Sequence, residues 1–113
     1  MAWAGGEDPV GVAGADAAEV PWEAIRAAAP EVLVVACCGF DVARTRRDLP
    51  ALRAYPGWDD LPAVRTGDVF LVDGSAYFSR PGPRLVDSLE ILARLVHPEC
   101  FPETTLPAGV ERA

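Results

Sequence analysis

Lysine is absent from this chain, so its ten basic residues are all arginine, and seventeen acids leave a formal net charge of −7. A nucleic-acid binder neutralises phosphates with a concentrated basic face. Here the arginines are interspersed with acids, which argues against that class. The missing lysine itself reads as a base-composition bias in the gene rather than as selection for fork-shaped ion pairing. Long hydrophobic runs are missing too. The longest, Val32 to Cys38, has the length of a buried strand and falls well short of the ~18 apolar residues of a membrane span. The chain is therefore not expected to be embedded in a membrane. The opening MAWAGGEDPVG has neither the basic start nor the apolar stretch of a signal peptide, so either the protein stays in the cytoplasm or its true start lies upstream. Cysteine is scarce: Cys37, Cys38 and Cys100 make no disulfide framework, since adjacent cysteines rarely bond each other. The pair is not CxxC, and only His97 is present to complete a metal-ligand set, so no metal site is expected. Two small residues closing a buried strand explain Cys37 and Cys38 as well.

What is present is a chain of 113 residues, half apolar and about a quarter charged. That composition fits one globular domain with a thin core. Residues 1–20 carry no sustained period and read as irregular, with a short extended piece around Val10–Val12. VPWEAIRAAAP reads as a helix from about Pro21 to Ala29, closed by Pro30. EVLVVACCG is a strand buried on both faces. Asp41 is a candidate N-cap for the next helix, whose apolar positions are Val42, Leu49 and Leu52, with Pro50 expected to break or kink it. WDDLPAVRTG is a connection with room for a helical turn, and DVFLVDG is a second buried strand. PRLVDSLEILARLVHP is the clearest helix: Leu85, Leu89, Leu92 and Val96 recur at helical spacing, widened by Val86 and Leu95. His97, at its end, suits a capping role. Residues 21–98 thus form an α/β unit, a small mostly parallel sheet flanked by helices, and 99–113 form a Pro-rich tail expected to be poorly ordered.

Ligands of such sheets lie beyond the carboxyl ends of the strands. Two segments point to that edge: CCGFD after the first strand and GSAYFSRPGPR after the second. The latter has no phosphate-loop spacing. Ser75 and Ser79 lack a neighbouring base, and Asp59 and Asp60 suit a capped turn, so there is no catalytic constellation. Tyr77, Phe78 and Arg80 leave two readings open. They form a flat, partly apolar binding surface, or Phe78 folds under the loop while Arg80 or Arg84 pairs with Asp73 or Asp87.

PWEAIRAAAPEVLVVACCGFDVARTRRDLPAL and PGWDDLPAVRTGDVFLVDGSAYFSRPGPRLVDSLEILARLVHPE together resemble the C-terminal lobe of the substrate-binding proteins of ABC importers for vitamin B12 and iron–siderophore complexes, most closely the cobalamin branch. The resemblance covers roughly Gly5 to Glu99. It implies one lobe of a two-lobed, non-enzymatic protein that holds its ligand in the cleft between lobes. This chain would begin about where the connecting helix ends. The family's ligand-facing loops then fall on Cys37, Cys38, Gly39 and Phe40 and on Ala76, Tyr77, Phe78 and Arg80, with the aromatics against the corrin ring and Arg84 bracing the helix. Glu23 matches the glutamate that docks on arginines of the permease; a first-turn acid suited to the helix dipole is its other reading. The resemblance implies no resident cofactor, cobalamin or a metal chelate as the transported ligand, an ABC permease as partner and a periplasmic or extracytoplasmic location. Two other functions remain: a cytoplasmic cobalamin-binding or interaction module, and a thiol-dependent enzyme using Cys37 or Cys38.

Overall fold

The computed structural model describes residues 1–12, 14–15, 19–78, 82–101 and 105–113. Helix α1 (Trp22–Ala28) starts after Pro21 and ends ahead of Pro30, which has no N–H to continue a helix. Trp22 anchors it: Nε1 donates to the Pro56 carbonyl at 2.7 Å, and the indole stacks on Tyr55 at 4.9 Å and on Trp58 at 6.2 Å. Strand β1 (Leu33–Ala36) follows. The Asp41 carboxylate then caps α2 (Val42–Arg53), accepting from the Arg44 N–H at 2.8 Å. Pro50 lies inside α2 and does not end it. The carbonyl that loses its donor belongs to Arg46, which shares an exposed face with Pro50, so water can replace the missing bond. A 3₁₀ turn (Trp58–Asp60) and the short α3 (Pro62–Thr66) lead into β2 (Val69–Val72). One π-type turn, Gly74–Phe78, precedes the long α4 (Arg84–Val96).

β1 and β2 pair in parallel, from Leu33 opposite Val69 to Ala36 opposite Val72. This is the expected α/β arrangement with helices flanking the sheet. A third strand, β3 (Val110–Arg112), makes the sheet mixed: it runs antiparallel on the far side of β2, with Val72 opposite Val110, so the order is β1-β2-β3. The tail 99–113 was expected to be poorly ordered, and its last residues differ from that expectation. Val110 is buried against the core, the Ala113 N–H donates to the Val69 carbonyl at 2.8 Å, and the Arg112 guanidinium lies 4.7 Å from the centre of the Phe70 ring.

Central placement buries all of β2. Phe70 and Val72 pack with Ile91 and Leu95 of α4 and with Val110, while Val69 joins Trp58, Leu61 and Ala63 in a second cluster. Leu71 and Val72 are fully enclosed, each worth roughly 2 kcal/mol of apolar burial. β1 was expected to be buried on both faces, but it is only half-buried because it is the edge strand. On α4 the buried residues are Ser88, Ile91 and Leu95. The expected stripe is rotated away from the sheet: Leu85 and Val86 are exposed, and Leu89, Leu92 and Val96 are half-buried. His97 ends α4 and holds the first residues of the chain, with Nε2 at 2.8 Å from the Gly5 carbonyl and Nδ1 at 3.1 Å from Glu99. Among the described residues no helix is long and apolar enough to cross a membrane.

Candidate functional site

Parallel pairing sends the chain out of the sheet at the same edge twice, so the segments after β1 and β2 leave as neighbours. The first, Cys37 to Phe40, is a tight turn closed by the Phe40 N–H on the Cys37 carbonyl at 3.0 Å. Gly39 supplies the left-handed residue of that turn, with φ 76° and open space where a side chain would stand. Gly74 has the opposite reason to be glycine. A Cβ there would stand 2.1 Å from the Cys37 carbonyl oxygen, so only a bare Cα lets the two segments touch. The Ser75 N–H completes the junction by donating to the Phe40 carbonyl at 3.2 Å.

Beyond that junction the second segment is braced from several directions. Asp73 accepts the Ala76 N–H on its carboxylate at 2.8 Å, and its own N–H donates to the Gly109 carbonyl at 2.8 Å. Arg84 donates to the Ala76 carbonyl at 3.3 Å and lays its guanidinium 5.7 Å from the centre of the Tyr77 ring. The buried Ser88 hydroxyl donates to the Tyr77 carbonyl. Arg84 thus braces the loop.

The structure brings Cys37, Cys38, Gly39 and Phe40 together with Ala76, Tyr77 and Phe78; Arg80 lies outside the described residues. Cys38 and Gly39 are exposed, and Cys37, Phe40, Ala76, Tyr77 and Phe78 are half-buried. Tyr77 and Phe78 pack against the cluster of Phe70, Val72, Ile91, Leu95 and Val110, so each ring gives part of its surface to the core. Phe40 carries the Arg44 guanidinium 4.5 Å from its ring centre, and Arg44 is held in turn by Asp48 at 2.8 Å. The surface is therefore aromatic, with a guanidinium laid against two of its rings, Arg44 on Phe40 and Arg84 on Tyr77. Among the described residues no three or more His, Cys, Asp or Glu side chains gather where they could hold a metal ion.

Glu23 is not part of this edge cluster. It is exposed in the first turn of α1, paired with Arg26 at 3.2 Å, and lines a shallow depression of about 420 Å³ with Arg26, Gly57, Asp60 and Leu61. The Trp22–Tyr55–Trp58 stack that fixes α1 was not foreseen, nor were Ser88 and Gly109 as supports of Tyr77. No local pattern marks them, because each acts on a residue distant in sequence.

The family model described as periplasmic binding protein matches residues 1–76. That span takes in Cys37, Cys38, Gly39, Phe40 and Ala76 and ends just before Tyr77. No curated protein and no solved structure matches the chain.

Proposed function

This chain belongs to the periplasmic binding protein family, and from that premise we propose that it forms one wall of a ligand cleft in an ABC-importer substrate-binding protein, extracytoplasmic and non-enzymatic. The ligand class is a large metal chelate such as cobalamin or an iron–siderophore complex. One observation carries the reading: two aromatic-bearing turns, joined backbone to backbone at Phe40–Ser75 and Cys37–Gly74, occupy the carboxyl edge of a parallel strand pair. Phe40, Tyr77 and Phe78 offer ring faces and edges to a flat macrocycle, and Ala76 leaves room for it to approach. Arg80, two residues after Phe78 in sequence, would supply a cation for the polar groups at the ligand's rim. A second lobe closes over the ligand from the other side, and the closed form docks on the permease through Glu23.

A single wall makes part of the contacts and leaves the ligand open to water, so this chain alone binds weakly. The test is a titration of the isotopically labelled chain with cobalamin, and with a ferric siderophore in parallel, followed by backbone amide shifts. Residues 37–40 and 76–78 should move progressively without reaching saturation at micromolar ligand, while Glu23 stays unmoved. Shifts that avoid both turns would overturn the site. A tight 1:1 complex would overturn the single-wall reading.

A further inference from the structure

Cys37 and Cys38 are the only adjacent thiols in the chain, and they stand at the outer end of an edge strand on a turn closed by a backbone hydrogen bond. The Cys37 carbonyl is held by the Phe40 N–H at 3.0 Å and lies against Gly74, which leaves no room for the turn to shift inward. Cys38 is exposed, Cys37 is half-buried, and both are free thiols. We propose that this pair is a two-sulfur chelate for soft, low-coordinate thiophilic centres, of which trivalent organoarsenicals are the class that fits.

Three observations select that chemistry. Neighbouring Cα atoms are about 3.8 Å apart across an ordinary peptide, short of the roughly 4.4–6.8 Å that a disulfide spans without strain. A direct sulfur–sulfur bond therefore closes a strained ring, whereas an atom inserted between the sulfurs enlarges the ring and relaxes it. No third ligand joins the pair, because no group of three or more His, Cys, Asp or Glu side chains is assembled among the described residues. Zinc, which takes four donors in structural sites, is poorly served by such a pair, while a soft centre content with two sulfurs is well served. Finally, the unequal exposure of the thiols gives an order of events: the exposed Cys38 attacks the arsenic first, and Cys37 closes the chelate.

With phenylarsine oxide the reaction balances without any oxidant. The Cys38 thiol adds across the arsenic–oxygen bond, its sulfur going to arsenic and its proton to oxygen. The Cys37 thiol then displaces that hydroxyl as water, so that two arsenic–sulfur bonds replace the arsenic–oxygen bond and both thiol protons leave in the water. Arsenic stays trivalent throughout. The inference does not depend on the transport reading, and its test uses no transported ligand.

Cys100 provides an internal control. It is an exposed lone thiol beyond the end of α4, whose 13 residues span about 20 Å at ~1.5 Å per residue. The reduced chain, kept in a phosphine reductant that is removed before assay, is treated with one equivalent of phenylarsine oxide. Remaining thiols are counted colorimetrically, and the adduct is weighed as an intact protein. Loss of two of the three thiols is expected in the parent chain, as a monomer carrying one arsenic, and Cys100→Ser should lose both of the thiols it retains. Cys37→Ser and Cys38→Ser each still carry two thiols, and neither should lose any at this stoichiometry. Circular dichroism checks that each variant is folded, and because Cys38 is exposed, C38S answers even if C37S does not fold. Retention of all thiols in the parent chain overturns the proposal, as does a loss of two thiols by C38S or an adduct that forms only between chains.

Discussion

Between Cys37 and Phe40 the chain turns on a backbone hydrogen bond and presents Cys38 and Gly39 to solvent; between Asp73 and Phe78 it is tied to β3 through Gly109 and to α4 through Arg84 and Ser88. Both turns leave parallel strands at one edge and touch each other, yet one is a platform and the other an open lip. The difference follows from position in the sheet. β2 is central, so its outgoing turn has β3 on one side and α4 above it; β1 is the edge strand, so its turn meets a neighbour on one side. A surface made of one fixed and one open turn can keep its aromatic shape while a ligand reaches the lip.

The sharpest way to break this contrast is to make the same substitution in both turns. Gly74→Ala drives a Cβ to 2.1 Å from the Cys37 carbonyl, and backbone has to move to relieve it, so a loss of about 3 kcal/mol is expected. Gly39→Ala meets open space and keeps only the left-handed strain of its φ, about 1 kcal/mol. Urea unfolding midpoints at constant m-value decide it. Equal losses would mean that the two turns do not differ in packing as described.

Next in size is the support of the platform from α4. Ser88 is buried and gives its hydroxyl to the Tyr77 carbonyl. Ser88→Ala leaves that carbonyl without its partner at a cost of roughly 1–2 kcal/mol. The Tyr77 and Phe78 ring resonances should broaden while those of Phe40 stay as they were. If Phe40 responds equally, the two turns behave as one unit and the contrast falls.

How much of this was legible in the chain varies with the range of the interaction. β2 is a run of apolar residues between an aspartate and Asp73-Gly74, and Asp41 three residues ahead of Arg44 is a local capping signal; both appear where the pattern places them. The convergence of the two turns was also readable, since it needs only that the strands be parallel. β3 was not, because VER holds one apolar residue and becomes a strand only when Val110 finds Val72. The buried face of α4 was misjudged for a related reason. Its apolar residues run almost all the way round, and the sheet selects Ser88, Ile91 and Leu95, a set that includes a serine no apolar stripe would contain. Likewise α2 buries Thr45 beside Leu49, and a threonine carries no signal of burial. At the site, the residue types were readable, but the packing of Tyr77 and Phe78 on the core, and hence the fixed character of their turn, depends on α4 and Gly109.

The smallest effect comes from the far end of α4, and it tests whether the platform depends on the whole helix or on its first turns alone. Both ring nitrogens of His97 face acceptors, Nε2 the Gly5 carbonyl and Nδ1 the Glu99 carboxylate. Only the doubly protonated ring can donate to both, so the Gly5 carbonyl first and Glu99 second raise its pKa above the ordinary 6.5. Glu99 is shifted the other way, held down by its own backbone N–H and then by His97. A raised pKa in the folded chain means that the stabilisation from His97 is complete below the unfolded value of 6.5 and is lost as pH rises through the folded value. For Glu99 the contribution is present above the unfolded value and fades as pH falls through the lowered one. The anchor of residues 1–6 is therefore strongest between the two, and the protection of the Gly5 and Gly6 amides against exchange, taken relative to the base-catalysed intrinsic rate at each pH, should fall as pH passes above the raised value of His97. The amides of 37–40 and 74–78 should not respond, because Ser88 and Arg84 belong to the opposite half of the helix. Should residues 74–78 loosen in step with His97, the platform would owe its rigidity to α4 as a whole rather than to its first turns alone.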